Sequence, residues 1–103
     1  MFQDNINKGG SFNLYNNWTE KVIELKNKNN LTEENIEKLK VKHNSNDVEL
    51  VVACVNNNID KLKECIKKGY DLSICNNSIL RYTVSEGYVD LSMLLLKSGV
   101  DVR

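Results

Sequence analysis

Four side chains in this 103-residue sequence carry chemistry by type: the thiols Cys54, Cys65 and Cys75, and the single imidazole, His43. Thiolate and imidazole are preferred zinc ligands, so a zinc site is the first chemistry to weigh. Their spacing argues against it. Ten, ten and nine residues separate the four in order, whereas structural zinc ligands come in pairs a few residues apart. No metal site is expected. His43 lies in the polar stretch Lys42–Asn46 with no nucleophile at a catalytic spacing, and reads as a solvated linker residue. Serine and cysteine hydrolase motifs, G-x-x-x-x-G-K-[ST] and G-x-G-x-x-G do not occur, so no enzyme and no cofactor are expected. Cys54 and Cys65 fall at inward-facing helical positions, where a thiol acts as a small hydrophobe. Cys75 falls in a turn and is expected to be the exposed, reactive one. A redox-responsive protein using Cys75 is the chemical alternative.

The elements that hold these residues must come from a single small domain, given the length. Fourteen basic and fourteen acidic residues leave no net field to draw the chain to nucleic acid or an anionic membrane. Lys61, Lys63, Lys67 and Lys68 form the one basic helix face, read as solvated. No aromatics interleave with them, so no nucleic-acid partner is expected. The start MFQDNINKGGSFN lacks a basic segment followed by an apolar run, so no secretory signal is expected. No apolar stretch, Met93–Leu96 included, is long enough for a membrane span. An odd number of cysteines without an export signal implies reduced thiols and a cytoplasmic location. Sixteen asparagines and no proline are unusual. The N-x-[ST] triplets at Asn17, Asn30 and Asn76 are what so many asparagines produce by chance.

Residues 1–16 are polar, contain Gly9-Gly10 and show no lasting period; a flexible N-terminus is expected, with Phe12, Leu14 and Tyr15 as candidates to dock on the body. Residues 17–46 read as a helix pair and linker. Thr19 is placed to cap a first helix to roughly residue 28, with Trp18, Val22, Ile23 and Leu25 as a packing stripe. Asn27-Lys28-Asn29-Asn30 breaks it. Thr32 then reads as an N-cap, with Glu33 and Glu34 in the first turn complementing the helix dipole. Ile36 and Leu39 follow at helical spacing, with Leu31 as a staple.

From residue 47 the pattern repeats. DVELVVACVNNNIDKLKECIKKGYDLSI (47–74) aligns with NSILRYTVSEGYVDLSMLLLKSGVDVR (77–103) at an offset of 30 residues. Leu50 falls on Leu80, Ile59 on Val89, Asp60 on Asp90, Ile66 on Leu96, Gly69 on Gly99 and Asp71 on Asp101. Each unit reads as helix, turn, helix, Gly-x-Asp and an extended tail. Asp60 and Asp90 are expected as N-caps, and Gly69 and Gly99 as left-handed helix stops. Two helices per 30 residues is the arithmetic of a helical solenoid.

The second unit resembles an ankyrin repeat. Ser78, Leu80, Gly87, Asp90, Leu94, Leu95, Leu96, Gly99, Asp101 and Val102 fit that family's pattern, while Ile79, Arg81 and Thr83-Val84 depart from it. The wording L-R-Y-x-x-x-E-G-Y in an Asn-rich, Pro-free chain is similar to the ankyrin families of giant DNA viruses of amoebae. The likeness covers residues 47–103. It implies an all-α fold: a helical solenoid of two ankyrin-like repeats (47–76 and 77–103) preceded by an N-terminal helix pair. The first unit has Lys61, Lys63 and Glu64 where the second has Leu91, Met93 and Leu94, as a capping repeat would. The second, apolar on more sides, should have something stacked on it. The N-terminal pair adding core and a second copy covering the open face are expected together; a shortened relative of a longer array is the other resolution.

The resemblance also implies the function: protein–protein recognition, as an adaptor or inhibitor of a host or viral protein in the cytoplasm. By the same resemblance the contact positions on the concave face are Val55, Asn56, Ile74, Cys75, Asn77, Ser85 and Glu86. Asn76 stands where the family commonly has Gly, suiting a left-handed backbone. The alternative is a self-associating structural protein, a homodimer through the C-terminal repeat, using the apolar face of helix 90–98.

Overall fold

The computed structural model describes the backbone of residues 11–101 and the side chains of residues 18–101. Expectations for residues 1–10, and for docking of the Phe12, Leu14 and Tyr15 side chains, lie outside the described residues. The described chain is all-helical: α1 (Ser11–Asn27), α2 (Glu33–Lys42), α3 (Ser45–Val55), α4 (Ile59–Lys67), α5 (Ser78–Ser85) and α6 (Val89–Lys97), with one 3-10 turn at Leu72–Cys75.

Asparagine sets several of the helix boundaries. Thr32 caps α2 as expected, its Oγ1 accepting the Asn35 N–H at 3.2 Å. Asn44 caps α3, accepting from the N–H groups of Asn46 and Asp47 at 2.9 and 3.3 Å. Asn58, not Asp60, caps α4, accepting the Lys61 N–H at 3.2 Å. Asp60 and Asp90 instead sit in the first turns of α4 and α6, where a carboxylate still complements the dipole. Gly69 and Gly99 are left-handed helix stops, with φ of 82° and 102°. In each case the next residue reaches back to close the helix, Tyr70 N–H to the Cys65 carbonyl and Val100 N–H to the Leu95 carbonyl. Asn29 and Asn57 end α1 and α3 in the same conformation, each at φ 56°.

The start of α1 differs from expectation. The helix already runs at Ser11, and Thr19 is buried inside it, 5% exposed. Thr19 borders Ile74 and Ser78, so tertiary burial holds a residue whose local preference is for a cap.

The two aligned units form two hairpins that lie side by side. α3 packs on α4 and α5 on α6; α3 also packs on α5, and α4 on α6. α2 packs on α3, with Ile36 and Leu39 against the core. α1 lies across both α3 and α5. The interior between these layers holds Leu50, Val51, Leu62, Leu80, Leu91 and Leu95, each 0–2% exposed. Its buried polar groups satisfy one another. The Ser92 hydroxyl donates to Thr83 Oγ1 at 2.9 Å, and Thr83 donates to the Leu80 carbonyl at 2.9 Å.

Candidate functional site

Cys75 overturns its expectation. All three cysteines are free and buried. Asp71 caps the 3-10 turn, its carboxylate accepting the Ser73 N–H at 3.0 Å, and the turn aims Cys75 inward. Cys75 Sγ then lies 3.8 Å from Cys54 Sγ in the interior. The hydrogen bond with Cys54 and burial push the Cys75 thiol well above its ordinary pKa; burial also raises Cys65. A thiol held protonated and out of solvent is a poor nucleophile. Among the described residues no three His, Cys, Asp or Glu side chains converge on a metal site.

His43 also departs from the linker reading. It is half-buried at the end of α2, its ring stacked on Trp18 with centroids 4.9 Å apart and planes 16° apart. Trp18 is 8% exposed, as a packing residue should be.

The seven contact positions divide. Val55 and Cys75 are fully buried and can touch no partner. Each sits on the inner side of its turn, where the interior needs an apolar group. Asn56, Ser85 and Glu86 are exposed at the C-terminal ends of α3 and α5. Ile74 and Asn77 are half-buried at the other end of α5, with Ile74 packed on the core. Roughly 12 Å of helix rise separates these two groups. α1 packs along α5 as well, with the Ser78 hydroxyl 3.4 Å from a Glu20 carboxylate oxygen. The chain's own first helix therefore covers part of the surface the resemblance assigns to a partner.

The left-handed asparagine in this turn is Asn77, at φ 63°, and not Asn76, at φ −60°. The Asn77 N–H donates to the Asp101 carbonyl at 3.0 Å, and Asn76 Oδ1 accepts the Asp101 N–H at 3.1 Å. The turn after the first hairpin is thus tied to the tail of the second.

The basic face of α4 is interleaved with acids. Lys61 pairs with Glu64 at 3.1 Å and Glu49 at 3.5 Å, and Lys68 reaches Glu64 at 3.8 Å. Lys40 of α2 also meets Glu49, at 3.9 Å. Lys40, Glu49 and Lys61 border a groove of about 250 Å³ between α2, α3 and α4. Alternating charges leave it no strong affinity for one sign of ligand.

The open side of the second hairpin is different. Val84, Val89, Met93 and Leu96 are 53–63% exposed. Met93 and Leu96, with Leu94, form an apolar hollow flanked by Asp90 and Lys97. Sequence reading located this face on helix 90–98, but missed that Val84 of α5 is also exposed, since an isolated valine has no periodic signal of its own. Among the described residues no helix is long and apolar enough to cross a membrane.

No family model matches this sequence, and no curated protein or solved structure matches it either. The likeness to ankyrin repeats therefore rests on the residues of the two units.

Proposed function

We propose that this chain is a non-catalytic protein–protein interaction module, a short ankyrin-type solenoid that binds a host or viral protein in the cytoplasm. The observation that carries the reading is the packing of units 30 residues apart into two hairpins, first helix on first and second on second. Stacked hairpins of this kind build extended recognition surfaces. Burial of all three thiols supports a non-catalytic role. The surface left open by α1 is the ledge of Asn56, Ser85 and Glu86, together with the edge of the turn at Ile74 and Asn77.

The test is affinity capture from an amoebal lysate with wild-type protein and with the S85R/E86R double variant, both exposed positions that leave the core intact. A protein retained by the wild type and lost with the variant is the expected result. Identical capture profiles would remove the ledge as a recognition surface.

Self-association in a structural role is the second reading. It is favoured by the exposed apolar side chains of the last hairpin, Val84 on α5 and Val89, Met93 and Leu96 on α6.

A further inference from the structure

The strip on α6 has an internal symmetry that bears on its occupant. Asp90, Met93, Leu94 and Lys97 stand at positions i, i+3, i+4 and i+7, so they share one helix face. Read from either end, this face runs charge, apolar, apolar, charge, and the two charges are opposite. A helix laid antiparallel on it, with the two-fold axis passing between residues 93 and 94, places each Asp90 beside Lys97 of the second copy. The same operation places Met93 on Leu94 of the second copy. Val89 then lies next to Leu96 of the second copy, on the flank of the pair.

Two further observations fit a self-complementary seam. Asp90 and Lys97 are both exposed, and among the described residues neither has a salt-bridge partner within the chain. Lys38, Lys40, Lys61 and Lys68, by contrast, are engaged with glutamates of their own chain. Between the two charges the fold leaves Met93 in water and Leu94 half-buried, with Val89 and Leu96 exposed on the flank.

We propose that α6 is a two-fold dimerisation seam whose occupant is α6 of a second copy, antiparallel, with reciprocal Asp90–Lys97 pairs at both ends. This inference rests on the self-association reading and names its register. An isologous contact of this kind closes on itself, giving a dimer and not a filament. It also leaves the ledge at Asn56, Ser85 and Glu86 free on each copy for another protein.

The charges allow a reciprocal test on the intact chain. D90K sets two lysines against each other at both ends of the seam; K97E sets two acids against each other. Each variant alone should dimerise roughly tenfold or more weakly than wild type in analytical ultracentrifugation. Mixed in equal amounts, the two variants should recover the dimer as a heterodimer, because every end pair is again opposite in sign. Both sites are exposed, and circular dichroism verifies that each variant keeps its helices. L96E should abolish the dimer with no rescue by either charge variant. A wild type that stays monomeric into the high micromolar range would overturn the self-association reading itself. A dimer that tolerates D90K and K97E, or a mixture that stays monomeric, would overturn the antiparallel register and leave self-association standing.

Discussion

The indole of Trp18 lies flat on the imidazole of His43, with ring centroids 4.9 Å apart. This contact joins α1 to the corner where α2 ends and Asn44 caps α3. It makes the only tryptophan a reporter on whether the first helix is seated. Val22, one turn further along α1, is fully buried. V22D would place a carboxylate in that apolar contact, at a cost of several kcal/mol unless the helix leaves its site. The expected outcome is a red shift of Trp18 emission, toward that of a solvated indole. H43A, which removes only the stacked ring, should change emission intensity and leave its wavelength near the native value.

Adjacent leucines on α6 separate burial from hydrophobicity. Leu95 is 0% exposed and Leu96 is 53% exposed. L95A removes core contacts and should destabilise the fold by about 2–5 kcal/mol. L96A lies on the open face and should change monomer stability by less than about 0.5 kcal/mol. Urea denaturation below the concentration of any dimer measures both. An unchanged midpoint for L95A would mean that α6 is not packed against α5.

The cysteines should behave as one class. Cys54, Cys65 and Cys75 are each 0–1% exposed, so none presents its sulfur to reagent. In the native protein an aromatic disulfide reagent should react slowly with all three, at a rate set by opening of the structure. In urea the three should react together and fast. A single thiol reacting rapidly without denaturant would contradict the inward aim of the 3-10 turn.

Alkaline stability should depend on Tyr82. This side chain is 9% exposed and meets Tyr88 edge-on, with centroids 6.1 Å apart. Burial, then the neighbouring Tyr88, push its phenol up to about 12. A folded value above the unfolded one means that its contribution is complete below pH ~10 and is lost as pH rises toward 12. The loss is about 2 kcal/mol over that window. Y82F should show a flatter decline of stability between pH 10 and 12 than wild type, read by denaturation at each pH.

Much of the helical layout was legible in the chain because its signals are local. Thr32 capping α2 needs only the residues of one turn, and so do Gly69 and Gly99 ending α4 and α6. The 30-residue offset predicted two hairpins because matching apolar spacings demand matching partners. Where two neighbouring residues can both cap, the local sequence does not decide between them. The sequence favours Asp60 and Asp90 as caps, yet Asn58 caps α4 through its side chain and Tyr88 stands at the start of α6 without a side-chain capping bond. Asn29, Asn57 and Asn77 adopt left-handed turns that thirteen other asparagines share the chemistry for. Only the surrounding hydrogen bonds select them.

The sequence by itself determined an all-helical chain, a repeated helical hairpin and an apolar stripe on its last helix, all set by interactions within a few residues. The direction of each turn residue was decided by tertiary structure. Cys75 and Val55 looked like surface positions but face the interior, because the two hairpins close over them. α1 could be recognised as amphipathic, but not that it would lie across both α3 and α5 on the side assigned to a partner. That choice depends on which apolar surfaces meet at long range, and burial of the whole set, not the preference of any one residue, decides it.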